Sequence, residues 1–179
     1  MQTIKKVLNV WHTITVGNTT VEELINEIER MSFGYGVNTE TKGVMRRNVH
    51  NTRLGSRSIN LVVLTPGADL GFTEHPYTDQ FMTKECCAKW SAENLDGYVI
   101  ELCEPEDGPQ LRVQYKEQPI DEILHMAMES IPDSDGNLYN FSLSRDNVGV
   151  HNLDACHHIV IPRRWHLKQN FVFRLLRVT

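Results

Sequence analysis

The sequence has few of the features that mark special classes of protein. Among its 179 residues are only four cysteines, and no C-x-x-C pair exists. Adjacent Cys86 and Cys87 are poor disulfide partners, and a chain of this length buries enough apolar surface to fold without disulfides or a structural metal. We therefore expect all four cysteines (Cys86, Cys87, Cys103 and Cys156) to be reduced, mostly buried thiols.

Long hydrophobic runs are also missing. The longest, such as residues 61–64, are the size of a strand, whereas a helix needs about 20 apolar residues to cross a bilayer. No unbroken apolar segment with a small-residue cleavage site follows Met1, so a secretory signal is not predicted. These absences predict a soluble, cytoplasmic protein with no membrane association.

Acidic residues are lacking in two stretches of an otherwise acidic chain, whose net charge is −5. Residues 41–68 contain five Lys and Arg and no acid, and residues 155–179 again contain five and no acid, while residues 69–135 contain sixteen acids against four bases. The blocks either neutralise one another across the fold or a self-association surface, or the basic segments converge on an anionic partner.

Hydrophobic periodicity predicts a single α+β domain over residues 1–179. Three helices are predicted: one after the capping box Thr20–Glu23, one from Thr78 to about Ala92, and one after Pro119. Strands are predicted at residues 7–16 and 59–64, in a hairpin (98–103 and 111–115) around an acidic turn, and repeatedly after residue 138. We expect a mixed, largely antiparallel sheet with a strand-rich C-terminal half.

Residues 41–58 show no clear period and are predicted to form a long basic loop, which is unusual in a compact domain and typical of a binding element. A binding module would use this loop together with the basic C-terminal stretch, where a tryptophan can stack on an arginine or a base. The candidate binding residues are Arg46, Arg47, Arg53, Arg57, Arg163, Arg164, Lys168 and Trp165.

A second interpretation concerns the histidines near Cys156. His, Asp and Cys are usual ligands of zinc and related divalent metals, and three protein ligands leave a position open for hydrolysis. Strand alternation, however, sends His157 and His158 to opposite faces. The candidate metal ligands are His151, Asp154, His157, His158 and His166.

The run from His157 to Pro162, followed by Asn170, resembles part of the HNH nuclease pattern. That family's finger has a helix after the asparagine, whereas residues 171–178 of this chain predict a strand. A third interpretation of the same histidines is structural, with one of the paired histidines packed inside and the other on the surface.

The sequence therefore predicts a non-catalytic binding or interaction module, without a cofactor, that engages an anionic protein or nucleic acid through two basic segments. The alternative is a metal-dependent hydrolase or nuclease with a zinc-like ion at the histidines. A homodimer is a further expectation, because strand-rich tails with apolar terminal strands often pair with another copy.

Overall fold

The computed structural model describes residues 5–50, 55–158 and 164–178. Four α-helices occur in this part of the chain: α1 (Val21–Met31), α2 (Thr39–Asn48), α3 (Lys84–Asn94) and α4 (Asp107–Gln114). The strands are β1 (His12–Val16), β2 (Arg57–Leu64), β3 (Tyr98–Glu101), β4 (Ile123–Met126), β5 (Ile131–Pro132), β6 (Leu138–Arg145), β7 (His151–His158) and β8 (Asn170–Arg177).

The eight strands form one mixed, strongly curled sheet with the shape of a half-barrel. Its long path runs β1, β2, β8, β4 and β6, and β7 pairs with the far edge of β6. Strand β4 runs parallel to β8, while the other recorded strand pairings are antiparallel. Strand β8 is central because it bonds to β2 on one side and to both β4 and β3 on the other.

Alternation along β8 divides the core into two clusters on opposite faces of the sheet. Phe171 and Phe173 point into one cluster and Val172 into the other. The face of Val172, here called the inner face, is covered by α1, α2 and α4, which bury residues such as Leu24, Met45 and Leu111 there. Helix α3 covers the opposite face, here called the outer face, which also holds Trp165.

The first predicted helix is confirmed. Thr20 accepts from the Glu23 backbone N–H at 3.1 Å, and the Glu23 carboxylate accepts from the Thr20 N–H at 2.7 Å, so the predicted capping box forms. Leu24, Ile25 and Ile28 are buried on one side of α1, as the spacing of three and four residues requires.

The predicted number of helices is wrong, because there are four rather than three in the described chain. The predicted basic loop at residues 41–58 is also wrong at both ends: residues 39–48 form α2, and β2 begins at Arg57. Helix α2 begins after Asn38, whose side chain caps the Thr41 N–H at 2.7 Å. Its apolar stripe is only Val44 and Met45, too short to show a period in the sequence.

Residues 98–131 are also corrected. The predicted second strand of the acidic hairpin is α4, and the predicted third helix contains β4. Asp121 has a φ of +64°, in the left-handed region, which a helix cannot contain. Pairing with β6 and β8 on both sides then holds residues 123–126 extended, and tertiary pairing overrides their helical spacing.

The structure also bears on two further expectations, the absence of membrane association and the formation of a homodimer. None of the helices in the described residues has the length and apolar character to cross a membrane. The homodimer is expected from a strand-rich tail with an apolar terminal strand, and that strand, β8, lies in the middle of the sheet with partners on both sides. Dimerisation itself stays a prediction.

Candidate functional site

The basic side chains of α2 are mostly engaged within the inner-face layer. Arg46 forms a two-point ion pair with Glu22 of α1, at 2.6 and 3.0 Å, and Lys42 pairs with Glu29. Arg47 is exposed on the same helix. The basic segment at 41–58 therefore neutralises acids of α1 instead of presenting all its charges to a partner.

The basic C-terminal segment lies against the outer face. The guanidinium of Arg164 stands 4.7 Å from the ring centre of Tyr77. Trp165 is 2% exposed and donates its indole N–H to Thr78 at 2.9 Å, so it is a core residue and no free stacking platform. Lys168 is exposed in the loop before β8.

These placements separate the predicted binding residues. Helix α2 packs on the inner face and Trp165 on the outer face, so the described parts of the two basic segments are on opposite sides of the sheet. Arg57 is exposed at the start of β2. Arg53 and Arg163 lie outside the described residues. The structure does not bring the described cations into one patch.

The candidate metal ligands are also dispersed. His151 and His157 share a face of β7, but they are six positions apart along the strand, about 20 Å. Asp154 points to the opposite face, and His166 lies in the loop before β8, with its ring 4.9 Å from that of His75. His158 ends β7, and its side chain lies outside the described residues.

Three of these residues have local environments that the structure describes. His151 Nε2 is 3.0 Å from the Lys116 carbonyl oxygen, and burial lowers the pKa of its imidazole. The His157 ring lies 5.1 Å from that of Tyr139. Burial raises the pKa of Asp154. In residues 5–50, 55–158 and 164–178, no group of three or more His, Cys, Asp and Glu is placed to hold a metal ion.

A concave site lies elsewhere, where the sheet divides. Strand β4 fills the space between β8 and β6 at one end, pairing with residues 170–172 and 142–144. At the other end β8 pairs with β3 and β6 pairs with β5, and β3 and β5 do not pair with each other. This separation opens a notch, which α3 flanks.

The notch and α3 form a cleft of about 870 Å³, within the range of about 300–1,000 Å³ typical of small-molecule sites. We call it the α3 cleft. Its apolar wall contains two short, exposed side chains of α3, Ala88 and Ala92, and the larger Leu95, Leu102 and Ile131. Short side chains on the helix leave the space that a ligand would fill.

The strand edge inside the cleft is closed by α3. Ser91 is 1% exposed, accepts the Ile100 backbone N–H at 2.9 Å and donates its own proton to the Cys87 carbonyl at 2.7 Å. A peptide strand would have to displace this hydroxyl to pair with β3. The geometry thus favours a compact ligand over an added strand.

The two outermost strands of the sheet are closed in the same manner. At β7, the Ala155 N–H donates to the Thr41 hydroxyl of α2 at 3.0 Å. At β1, the Gln114 side-chain amide of α4 bonds to both the N–H and the C=O of Thr15, at 2.8 Å each. Such covered edges prevent pairing with other chains.

The charged groups of the cleft are mainly acidic. Among the described residues, Glu101, Glu104 and Glu129 line it together with one cation, Lys84. The Lys84 ammonium lies 3.1 Å from a Glu129 carboxylate oxygen, and both side chains are largely exposed. Beneath the rim, Arg174 pairs with buried Asp107 at 2.6 and 2.9 Å and reaches Glu104 at 3.7 Å.

The two thiols that line the cleft are held protonated. Burial raises the pKa of Cys87 to about 12, and burial raises the pKa of Cys103 well above its ordinary value. Cys103 donates to the Val172 carbonyl oxygen at 3.3 Å. Because the thiolate is the nucleophilic form, neither thiol is activated for chemistry.

Sequence reasoning missed this site. It assigned Glu104, Glu106 and Asp107 to a solvated hairpin turn, whereas Asp107 is fully buried at the start of α4. An available signal was the clustering of acids just before a proline, since acids favour the first turn of a helix. The division of the sheet had no signal, because it depends on which strands pair.

Comparisons with family models, curated proteins and solved structures found no match. The candidate function therefore rests on the geometry of the chain itself.

Proposed function

We propose that the protein is a non-catalytic binding module and that the α3 cleft is its site for a small organic ligand. The observation that supports this proposal most directly is the apolar cleft of about 870 Å³ at the division of the sheet. A concave, mainly apolar pocket with a few polar groups is the usual form of a small-molecule site.

The chemistry of the lining favours binding over catalysis. Ser91 is engaged as both donor and acceptor, which leaves its hydroxyl without a general base. Cys87 and Cys103 keep their protons far above neutral pH. A catalytic nucleophile needs a base or a lowered pKa, and these three side chains have neither.

The predicted anionic partner is a separate matter. Exposed Arg47, Arg57, Arg164 and Lys168 remain its candidate contacts, but the first two and the last two belong to segments on opposite faces of the sheet. Binding of an acidic protein or a nucleic acid stays a prediction, and it would involve separate patches. The dispersed histidines give no comparable support to the hydrolase alternative.

The cleft is tested with a library of small aromatic and aliphatic fragments, followed by backbone amide chemical shifts in NMR. We expect binding fragments to shift the amides of α3, β3 and residues 129–131. Ala88→Trp fills the cleft and should weaken those fragments at least about tenfold, since the indole occupies the ligand's volume.

The matched control is Lys89→Trp, which adds the same side chain to the next, exposed position of α3, outside the cleft. This variant should bind the fragments like the unchanged protein. Shifts that map to another surface, or equal binding by the Ala88→Trp variant, would overturn the proposal.

A further inference from the structure

We infer that the ligand of the α3 cleft is an organic cation, a protonated amine joined to an apolar body. The inference rests on the proposed binding function and adds the chemical class of the ligand. It follows from the distribution of charge around the cleft relative to its apolar wall.

Carboxylates outnumber cations at the cleft. In the described part of the chain, Glu101, Glu104 and Glu129 oppose one ammonium, that of Lys84, which leaves two negative charges without a counter-charge from the described lining. A carboxylate or phosphate ligand would meet three like charges. Like-charge contacts of this kind exclude the wrong partners more strongly than opposite charges hold the right one.

Two of the three glutamates are free to accept a new cation. None of the described cations forms an ion pair with Glu101, which is exposed. Among the described ion pairs, Glu104 takes part in a 3.7 Å contact with Arg174, whose closer partner is Asp107 at 2.6 Å, and the Glu104 side chain is 60% exposed. An ammonium can contact these carboxylates without breaking a strong pair.

The third glutamate, Glu129, forms an ion pair with Lys84 that a ligand can replace. The Lys84–Glu129 pair is exposed on both sides, at 75% and 68% of the side-chain surface. Exposed ion pairs contribute little to stability because water and salt screen them. A ligand ammonium can therefore replace Lys84 at Glu129, and Lys84 is a competitor of the ligand.

The apolar part of the ligand would contact the apolar wall of the α3 cleft. Ala88 and Ala92 present one turn of α3 to the cleft, since residues four apart share a helix face. Leu102 and Ile131, each 7% exposed, lie among the other lining residues. A molecule with the amine at one end can contact this wall and the glutamates together.

The test compares hexylamine, hexanol and hexanoate, which share one apolar chain and differ in the charge of the head group. Affinities are measured by NMR titration of the amides around the cleft at low salt. We expect hexylamine to bind about fivefold to tenfold more tightly than hexanol, and hexanoate to bind most weakly.

Two substitutions should act in opposite directions. The triple variant Glu101→Gln, Glu104→Gln and Glu129→Gln should remove the preference for hexylamine and leave hexanol unchanged. Lys84→Met removes the competing ammonium and should tighten hexylamine. Glu93→Gln, at an exposed position of α3 outside the cleft, is the matched control and should change neither.

The outcomes separate the inference from the function on which it rests. Equal affinities for the amine and the alcohol, a preference for hexanoate, or no binding of the three probes while fragments still bind, would overturn the inference alone. A preference for hexylamine that persists in the Ala88→Trp variant would place the amine outside the cleft and overturn the inference. Fragments that bind elsewhere would overturn both.

Discussion

Asp107 is the residue whose replacement tests the structure most sharply. Its carboxylate is fully buried and accepts two hydrogen bonds from Arg174, which join α4 to the central strand β8. Asp107→Asn keeps the shape of the side chain and removes the charge. Arg174, 8% exposed, could still donate to the amide oxygen, but among the described residues its remaining carboxylate contact would be Glu104 at 3.7 Å.

The expected cost follows from leaving a buried cation without its partner, which destabilises proteins by about 3–5 kcal/mol. The assay is equilibrium unfolding in urea, followed by circular dichroism and by tryptophan fluorescence. With a urea dependence of about 2 kcal/mol per molar, typical of small proteins, the midpoint should fall by about 1.5–2.5 M.

Two further variants make this reasoning refutable. Replacing both partners, Asp107→Leu with Arg174→Met, removes both charges and should recover much of the lost stability, because a buried ion pair is often no better than apolar packing. Glu22→Gln removes the partner of Arg46 at the surface and should leave the midpoint unchanged. A midpoint for Asp107→Asn within error of the unchanged protein would show that the pair is not buried as described.

Two other predictions concern the cleft. Ser91→Ala leaves the Ile100 N–H without its acceptor and should cost about 1–3 kcal/mol in urea unfolding, with faster hydrogen exchange at Ile100; an unchanged exchange rate would contradict the Ser91 contact. Cys87 and Cys103 should resist iodoacetamide at pH 8 in the folded protein and react fully in urea, as read by mass spectrometry. The pKa of Cys87 is raised from 9.0 to about 12 on folding, so the folded state binds this proton more tightly, and the free energy of unfolding should fall as pH rises above about 9.

Much of the local structure follows from the sequence. The capping box at Thr20 and the apolar spacing of Leu24, Ile25 and Ile28 predict α1, because capping and burial both act within a few residues. The final strand is predicted by its aromatic and aliphatic residues on both sides of Arg174, and its central position in the sheet explains this nearly continuous apolar run. The residues within each of these elements are sufficient to predict its secondary structure.

Other elements depend on distant partners. Residues 123–126 form a strand because β6 and β8 supply hydrogen bonds on both sides. The spacing of the apolar residues in this segment gives no indication of those distant partners. Helix α2 buries only a short stripe and carries Gly43, so its sequence resembles a loop. The α3 cleft likewise arises from tertiary pairing, which is why charge blocks along the chain pointed to other residues.

The position of β8 also governs when the chain can fold. Leu61 pairs with Arg174, 113 positions later in the sequence. Strands β3 and β4 also pair with β8, so they too cannot complete their hydrogen bonding until β8 is present. Contacts between residues so far apart in sequence make folding slow, since a long loop must close before they form. On the ribosome, β1 and β2 are made early and remain without this partner until residues 170–177 emerge. Before that point the apolar residues that β8 covers in both core clusters lack this partner, and exposed apolar surface of this kind promotes aggregation of a growing chain.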